Sequence, residues 1–404
     1  MDDNLEHKEY QRLYLINQHY YPELASTGQI FKEIAEFLVD DYTVIVVSGL
    51  PFYHDGKIPI KSKEVINKVS VVRLWNTRFS KKRPMGKLLN ILTFQISLCL
   101  YVLFVIKENS LVMIGTNPPM AVSIIAFLKR FKKLKFVYVI HDLYPDILRA
   151  SKMLKDTSLF YKLLKKMQYH AMLKADRIVV ISEDMRLRLK KEYGIKKVLT
   201  AYNWAIGDIY PTNKEKQKIF LVLYSGNLGI AHDIHTISGA IMRLKDNDDI
   251  LFKFVGGGVN FDRLKRICEN ERLSNAVFQP YLPEDELNES LNAADISLVL
   301  FNGRFNGILL PSKYYGILAS GKPVLLITDG QNDFTRDVER YDVGYIIKTG
   351  EAALLADLIL RLPGNRKELA EKGMNARRLY LAKYKKETAL QSYTKIIAEM
   401  SHKG

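Results

Sequence analysis

Pro311-Ser312-Lys313, followed by Gly321-Lys322-Pro323-Val324, carries the densest chemistry in this sequence. Pro311 and Ser312 can open a helix whose free amides and positive end favour an anion. Lys313 adds a mobile positive charge, and Gly321 can end the helix before the next strand. A leaving phosphate needs this kind of electrostatic support. The plainer alternative is a structural helix with a solvated lysine. Three further segments bring glycine to positions where backbone can approach a ligand. They are Tyr20-Tyr21-Pro22-Glu23-Leu24-Ala25-Ser26-Thr27-Gly28, Gly226-Asn227-Leu228-Gly229 and Gly256-Gly257-Gly258. An anion held by the first two suits a diphosphate, because amides at a helix start point at it. The full dinucleotide fingerprint of spaced glycines is absent. His141-Asp142-Leu143-Tyr144-Pro145 places two adjacent titratable groups where a reacting centre would need a charge or a hydrogen bond. Against that stands a structural role, with Asp142 capping a turn and the His141 ring buried and satisfied. His, Cys and carboxylate residues do not recur at metal-ligand spacing and no Asp-x-Asp signal stands out, so no metal is expected.

The elements that must position these residues follow an alternating pattern. Residues 13–17, 42–48, 69–74, 110–115, 135–140 and 177–181 read as strands of parallel, doubly covered type, and 29–38, 121–128, 159–173 and 183–191 as helices. The segment from 18 to 28 reads as a loop, and 135–140 delivers His141 and Asp142 to a strand's carboxyl end, where open α/β sheets bind ligands. A polar, lysine-rich stretch at 212–218 reads as a boundary. Beyond it strands are expected at 219–224, 251–255, 277–279, 296–300, 324–327 and 343–347. Helices are expected at 234–244, 261–269, 284–292 and 312–319, then 351–360, 366–381 and 388–400. The expectation is two Rossmann-like α/β domains, 1–210 and 211–387, with a final helix in 388–404. A chain of 404 residues accommodates two cores comfortably.

Residues 88–106 hold no charge over 19 positions and follow Arg78, Lys81, Lys82, Arg83 and Lys87. That length could cross a bilayer. Polar interruptions at Asn90, Thr93, Gln95 and Ser97, and a position between two strands of one sheet, favour a buried connecting helix. An interfacial helix dipping into the membrane is the second reading. The formal charge of +16 is uneven, with 33 Lys and Arg against 19 Asp and Glu in residues 1–200 and 27 against 25 thereafter. Together with Lys162, Lys165 and Lys166, the first half suits an anionic lipid surface or a diphosphate. No zinc-finger spacing or RNA-binding aromatic motif accompanies the charge, so nucleic acid is not an expected partner. Two cysteines, Cys99 and Cys268, fit a reducing compartment, and the acidic start with Asp2, Asp3 and Glu6 is unlike a secretory signal. A cytoplasmic, peripheral protein is expected.

These motifs, in this order, resemble the retaining glycosyltransferase family 4. Within it the sequence is similar to the enzymes of capsule, O-antigen and colanic-acid assembly. The likeness spans almost the whole chain and is carried by Tyr20-Tyr21-Pro22-Glu23 with Thr27-Gly28, Asn117-Pro118-Pro119, His141 to Asp146, Tyr224 to Gly229, and Pro311-Ser312-Lys313 with Leu318 to Val324. It implies a GT-B fold, two Rossmann-like domains facing across a cleft, with an acceptor side first and a nucleotide-sugar side second. It also implies retention of anomeric configuration without an obligatory metal, and a C-terminal helix that returns to the first domain. By that resemblance Thr27 and Gly28 meet donor phosphates or acceptor, and His141 or Asp142 faces the transferred sugar. Gly226, Asn227 and Gly257 line the donor, and Ser312 and Lys313 hold its diphosphate. The family often places two glutamates eight residues apart here; Ile308 and Gly316 occupy those positions, so the contacts usually made by those carboxylates do not carry over. Asn227 and Ala231 stand where basic residues are common.

The resulting expectation is transfer of a sugar from a UDP-linked donor to a polyprenyl-diphosphate-linked saccharide at the cytoplasmic membrane face. Rivals are a UDP-sugar epimerase or glucan synthase of the same fold, and a non-catalytic scaffold in a polysaccharide assembly complex.

Overall fold

The computed structural model describes residues 11–23, 25–51, 60–80, 84–212 and 218–401. The polar leader, Leu24, the basic trio Lys81, Lys82 and Arg83, and most of the polar stretch at 212–218 lie outside them. The chain divides into two units. One comprises the chain up to Ile181, Arg186–Ala201 and everything from Leu390 onward; the other comprises Ser182–Met185 and Tyr202–Ala389.

The first unit opens with β1 (Arg12–Ile16), α1 (Ser26–Leu38), β2 (Thr43–Gly49), β3 (Lys63–Ile66), β4 (Val69–Leu74) and α2 (Pro84–Phe104). Then come β5 (Leu111–Ile114), α3 (Ala121–Lys132), β6 (Lys135–Ile140), α4 (Asp146–Ala150), α5 (Leu159–Lys174), β7 (Arg177–Val180), α6 (Glu183–Tyr193) and β8 (Val198–Thr200). Among the described residues the sheet order is β3-β4-β2-β1-β5-β6-β7-β8, parallel except where β3 pairs with β4. Strands β5 and β6 are apolar almost throughout and buried on both faces, as parallel strands covered by helices must be. Crossovers between parallel strands are nearly always right-handed. The steps β4 to β5, β5 to β6 and β6 to β7 run the same way along the sheet, so α2, α3 and α5 share one face. The step from β1 to β2 runs the other way and sends α1 to the opposite face. Strand β1 sits between β2 and β5, which makes the gap between β1 and β5 the switch point where a ligand crevice opens.

Helix α2 overturns the expectation of a buried connector at 88–106. Gly86, Asn90, Phe94, Leu98 and Val102 are buried, while Met85, Leu88, Leu92, Ile96, Leu100 and Phe104 are exposed, Phe104 by 80%. The polar interruptions are what hold the helix down. Asn90 exchanges hydrogen bonds with the Phe79 backbone, Gln95 donates to the Pro119 carbonyl at 2.7 Å and Ser97 to the Trp75 carbonyl at 2.7 Å. Composition registered those side chains as breaks in an apolar run. They anchor the inner side beside buried Phe94, Leu98 and Val102, and the uninterrupted stripe is the outer one.

The second unit contains β9 (Phe220–Asn227), α7 (His235–Arg243), β10 (Ile250–Gly257), α8 (Val259–Asn270), β11 (Ala276–Gln279), α9 (Glu284–Ala293) and β12 (Ile296–Phe301). It continues with α10 (Lys313–Ala319), β13 (Val324–Thr328), α11 (Asp333–Tyr341), β14 (Gly344–Ile347), α12 (Ala352–Arg361) and α13 (Arg366–Leu379). A π turn at Tyr380–Tyr384 precedes α14 (Lys386–Ser401). The parallel order is β11-β10-β9-β12-β13-β14. Alternate residues of one strand feed two cores: Val222 and Tyr224 join helices α7, α8 and α12, whereas Leu223 joins α10, α11 and α13. From Leu390 the last helix belongs with the first unit, where the Met400 carbonyl accepts from Lys135 Nζ at 3.0 Å and Glu399 meets Arg177 at 3.4 Å.

Candidate active site

In the second unit, three glycines let backbone and a lysine converge at the carboxyl ends of β9 and β10. The sequence suggested turns at Gly226, Asn227 and Gly257; the strands in fact run on through them, with Gly226 paired to Gly256 and Asn227 to Gly257. Gly256 has φ +136°, and a Cβ there would stand 2.1 Å from the Gly226 carbonyl oxygen. Gly226 itself has φ +129°, and a Cβ on it would rest against Lys313 Cε at 3.4 Å. Gly258, φ +118°, starts α8. No other residue type tolerates this combination of conformation and contact. Leu228 N–H closes the junction by donating to the Gly257 carbonyl at 2.7 Å.

Lys313 turns into this junction. Its Nζ donates to Tyr224 Oη at 2.5 Å and to His232 Nε2 at 3.1 Å, and lies 4.3 Å from the centre of the Tyr224 ring. Tyr224 in turn donates to the Asn227 carbonyl at 2.8 Å. Among the described residues no carboxylate stands at ion-pair distance from Lys313, and burial lowers its pKa to about 7. His232 Nδ1 lies 3.0 Å from the Gly229 carbonyl, which can only accept, so Nδ1 carries the proton and Nε2 offers a lone pair to the lysine. Burial first, and then the Lys313 charge, lower the His232 pKa to about 3, so the imidazole is neutral at any working pH. Asn260 pins the loop by donating to the Gly229 and His232 carbonyls at 3.1 and 3.0 Å. Ser312 precedes α10 as its cap residue, but its side chain makes no capping hydrogen bond and is exposed.

The first unit gathers a second set at its switch point. His141 directly follows β6 and is buried, with no protein group hydrogen-bonded to either ring nitrogen and the Phe31 ring of α1 5.9 Å away. Burial lowers its pKa to about 4 and raises that of Asp142 to about 6. Thr27 Oγ1 accepts from Asn117 Nδ2 at 3.2 Å, joining the start of α1 to the loop after β5. Gly28 lies within the first turns of α1 rather than in a loop, and its N–H already donates to the Ala25 carbonyl at 2.8 Å. A Cβ there would press on the His19 backbone at 3.2 Å, so close helix packing accounts for this glycine. His141, Asp142, Thr27 and Gly28 thus share one strand-end region, and Gly226, Asn227, Gly257, Ser312 and Lys313 another. The sequence reading missed Tyr224 and His232 as members of the second set. Among the described residues no group of three or more His, Cys, Asp or Glu is arranged to hold a metal ion.

Two doubly wound units, each with a polar cluster beyond its strand ends, define the class of two-domain α/β transferases. Residues 29–204 match the family profile Glycosyltransferase Family 4, and residues 208–379 match Glycosyl transferases group 1. The chain is 27% identical over 264 residues to the probable glycosyltransferase WbjE of Pseudomonas aeruginosa, a match covering 63% of this chain and 66% of that one. It is 29% identical over 131 residues to the putative colanic acid biosynthesis glycosyl transferase WcaI of Escherichia coli strain K12, covering 32% and 31% respectively. The matches span less than two thirds of either relative's length. Anabaena HepE, solved with UDP-glucose, superposes with a TM-score of 0.71 at 14% identity over 96% of this chain and 100% of that one. A family 4 glycosyltransferase profile and a group 1 glycosyltransferase profile thus span most of the chain between them, and the chain has the GT-B fold.

Proposed function

We propose that the protein transfers a sugar from a UDP-linked donor to a lipid-linked saccharide during surface-polysaccharide assembly, with retention of configuration. The observation that carries this reading is the Lys313 ammonium, half-buried among neutral acceptors and glycine backbone with no counter-anion among the described residues. Such a charge is costly until an anion arrives, and a diphosphate supplies two phosphoryl groups to a site of that shape. Ser312, Gly226, Asn227 and Gly257 are proposed to line it, and His141 and Asp142 to orient the transferred sugar, with Thr27 and Gly28 shaping that strand end. In the reaction the acceptor hydroxyl oxygen bonds to the anomeric carbon as the bond to the β-phosphate oxygen breaks on the same face. The hydroxyl proton passes to that phosphate oxygen, and Lys313 stabilises the charge that develops on it. HepE was solved with UDP-glucose, which supports UDP as the carrier. WcaI, described as a colanic acid enzyme, supports a polysaccharide product.

A lipid-linked acceptor requires a membrane, and the reading includes peripheral binding at the cytoplasmic face. The shared face of α2, α3 and α5 supports it. Beside the α2 stripe stand exposed Phe127 and Phe131 of α3, and Phe160 and Leu163 of α5. Lys87, Arg130, Lys133, Lys162, Lys166 and Lys174 are exposed on or next to the same helices. Apolar side chains interleaved with cations match an anionic bilayer interface, with the helices lying in its plane.

The test incubates candidate UDP-sugars with a membrane extract containing lipid-linked saccharides and follows UDP release together with product mass. Matched loss of donor and gain of one sugar on lipid is expected, and Lys313→Met should lower kcat/KM at least a hundredfold. An epimerised free nucleotide sugar, a soluble glucan, or undiminished turnover in Lys313→Met would each overturn the reading.

A further inference from the structure

A buried lysine is usually neutralised by a carboxylate. Here the partner that fills that place is an imidazole, fixed in one tautomer. The Gly229 carbonyl takes the Nδ1 proton at 3.0 Å, Asn260 clamps the backbone on both sides of the ring, and Nε2 is left pointing at Lys313 Nζ, 3.1 Å away. The second acceptor, Tyr224 Oη, belongs to a phenol whose own proton goes to the Asn227 carbonyl. Titratable groups facing the amine are thus His232 from the loop after β9, Tyr224 from β9 and, against Gly257, Tyr281. Burial raises both tyrosine pKa values above the ordinary phenol range, so neither tyrosine brings a charge.

We propose that His232 is the positioning residue of the donor site, a neutral acceptor that favours the charged form of the Lys313 amine and keeps it aimed, yet surrenders it to a diphosphate. The inference rests on the donor reading given above. Its logic is a comparison of partners. An Asp or Glu at this position would pair with Lys313 and compete with the phosphate. Withdrawing the amine would leave a buried carboxylate unpaired, at a cost of several kcal/mol. With histidine the exchange gives up one hydrogen bond to a neutral acceptor, a net loss of only about 1 kcal/mol, and gains a charge-assisted one. An apolar residue would do the reverse harm, leaving the ammonium less solvated and driving it towards the neutral amine.

Three variants separate these cases. His232→Gln keeps a donor for Gly229 and an acceptor for Lys313, His232→Leu keeps neither, and His232→Glu adds the competing charge. Lysine labelled with carbon-13 at Cε, titrated by NMR in the ligand-free protein and assigned by the signal missing in Lys313→Met, reads the amine directly. The expected midpoint for His232→Leu is at least one pH unit below wild type, for His232→Gln within half a unit, and for His232→Glu well above it. UDP binding at pH 8 is expected to weaken about tenfold or more in His232→Leu and His232→Glu, and less than threefold in His232→Gln. Donor KM should rise with it while kcat at saturation changes less, a split that general loosening of the fold would not give. A midpoint unmoved in His232→Leu, with unchanged UDP affinity, overturns the inference. Midpoints that move as stated in a wild-type protein that does not bind UDP leave the inference about the lysine standing and remove the donor reading instead.

Discussion

Because burial holds the Lys313 pKa near 7, the amine is half charged at neutral pH and its protonation is linked to whatever binds it. An anionic diphosphate favours the ammonium, so the bound-state pKa lies above the free-state value and binding takes up a proton where the free amine is neutral. Below pH 7 this group adds no pH dependence; above it, affinity falls. From pH 7.5 to 8.5 the Kd for UDP, measured by calorimetry, should rise by up to about tenfold, and Lys313→Met should bind weakly with no such slope. A flat wild-type profile would mean that the amine does not meet the phosphates. The glycines give a second residue-scale test. Gly256→Ala meets both an unfavourable φ and a carbonyl 2.1 Å from the new Cβ, so it should cost about 3 kcal/mol or more in urea unfolding. Gly364→Ala, where a Cβ meets nothing within 4 Å, should change stability by under about 1 kcal/mol. The glycine runs were legible in the sequence because glycine is unusual at strand ends, and Lys313 because it opens a helix behind Pro311 and Ser312. His232 was not, since its meaning depends on a lysine 81 residues away and a carbonyl fixing its tautomer.

At the scale of elements, the apolar stripe on α2 is separable from the packing that holds the helix. Ile96→Ser with Leu100→Ser changes two outward side chains that are 61% and 51% exposed. Thermal stability should move by less than about 1 kcal/mol equivalent, while sedimentation with vesicles containing phosphatidylglycerol should fall several-fold. Phe94→Ala, on the buried side, should instead cost about 3–5 kcal/mol in stability. Equal effects from the two sets would mean that the stripe is not a docking face. The same helix shows where sequence reading stops. Its existence follows from the apolar run, but both sides of the run are apolar, and only the tertiary partners of Asn90, Gln95 and Ser97 decide which side is covered. Strand β3 escaped notice because Lys63–Ile66 is a short, half-exposed antiparallel edge without the apolar signature of its neighbours. Helix α11 escaped because its start rests on an Asn332–Thr335 capping box rather than the usual glutamate or glutamine at the third position. The core parallel strands were legible within one to three residues at each end, since burial on both faces demands continuous apolar sequence.

Across the whole chain the charge is lopsided, a surplus confined almost wholly to the first two hundred residues, and this predicts a two-part response to salt. Attraction between exposed lysines and anionic headgroups, about 1 kcal/mol for each lysine near the surface, is screened as the Debye length shrinks from about 10 Å at 0.1 M to about 3 Å at 1 M. Insertion of the α2 stripe is not screened. Binding to phosphatidylglycerol vesicles should therefore drop steeply between low salt and 0.5 M and then level off at a residual set by the apolar contact. Lys162→Glu with Lys166→Glu, both exposed on α5, should lower the steep portion and spare the plateau, and Ile96→Ser with Leu100→Ser should lower the plateau. Because neither pair touches the Lys313 cluster, UDP affinity in solution should be unchanged in both. Retention that is insensitive to salt and equal on phosphatidylcholine vesicles would assign the surplus charge some other role, and an oligomer that dissolves when the stripe is changed to serine would assign the stripe to a second copy of the chain.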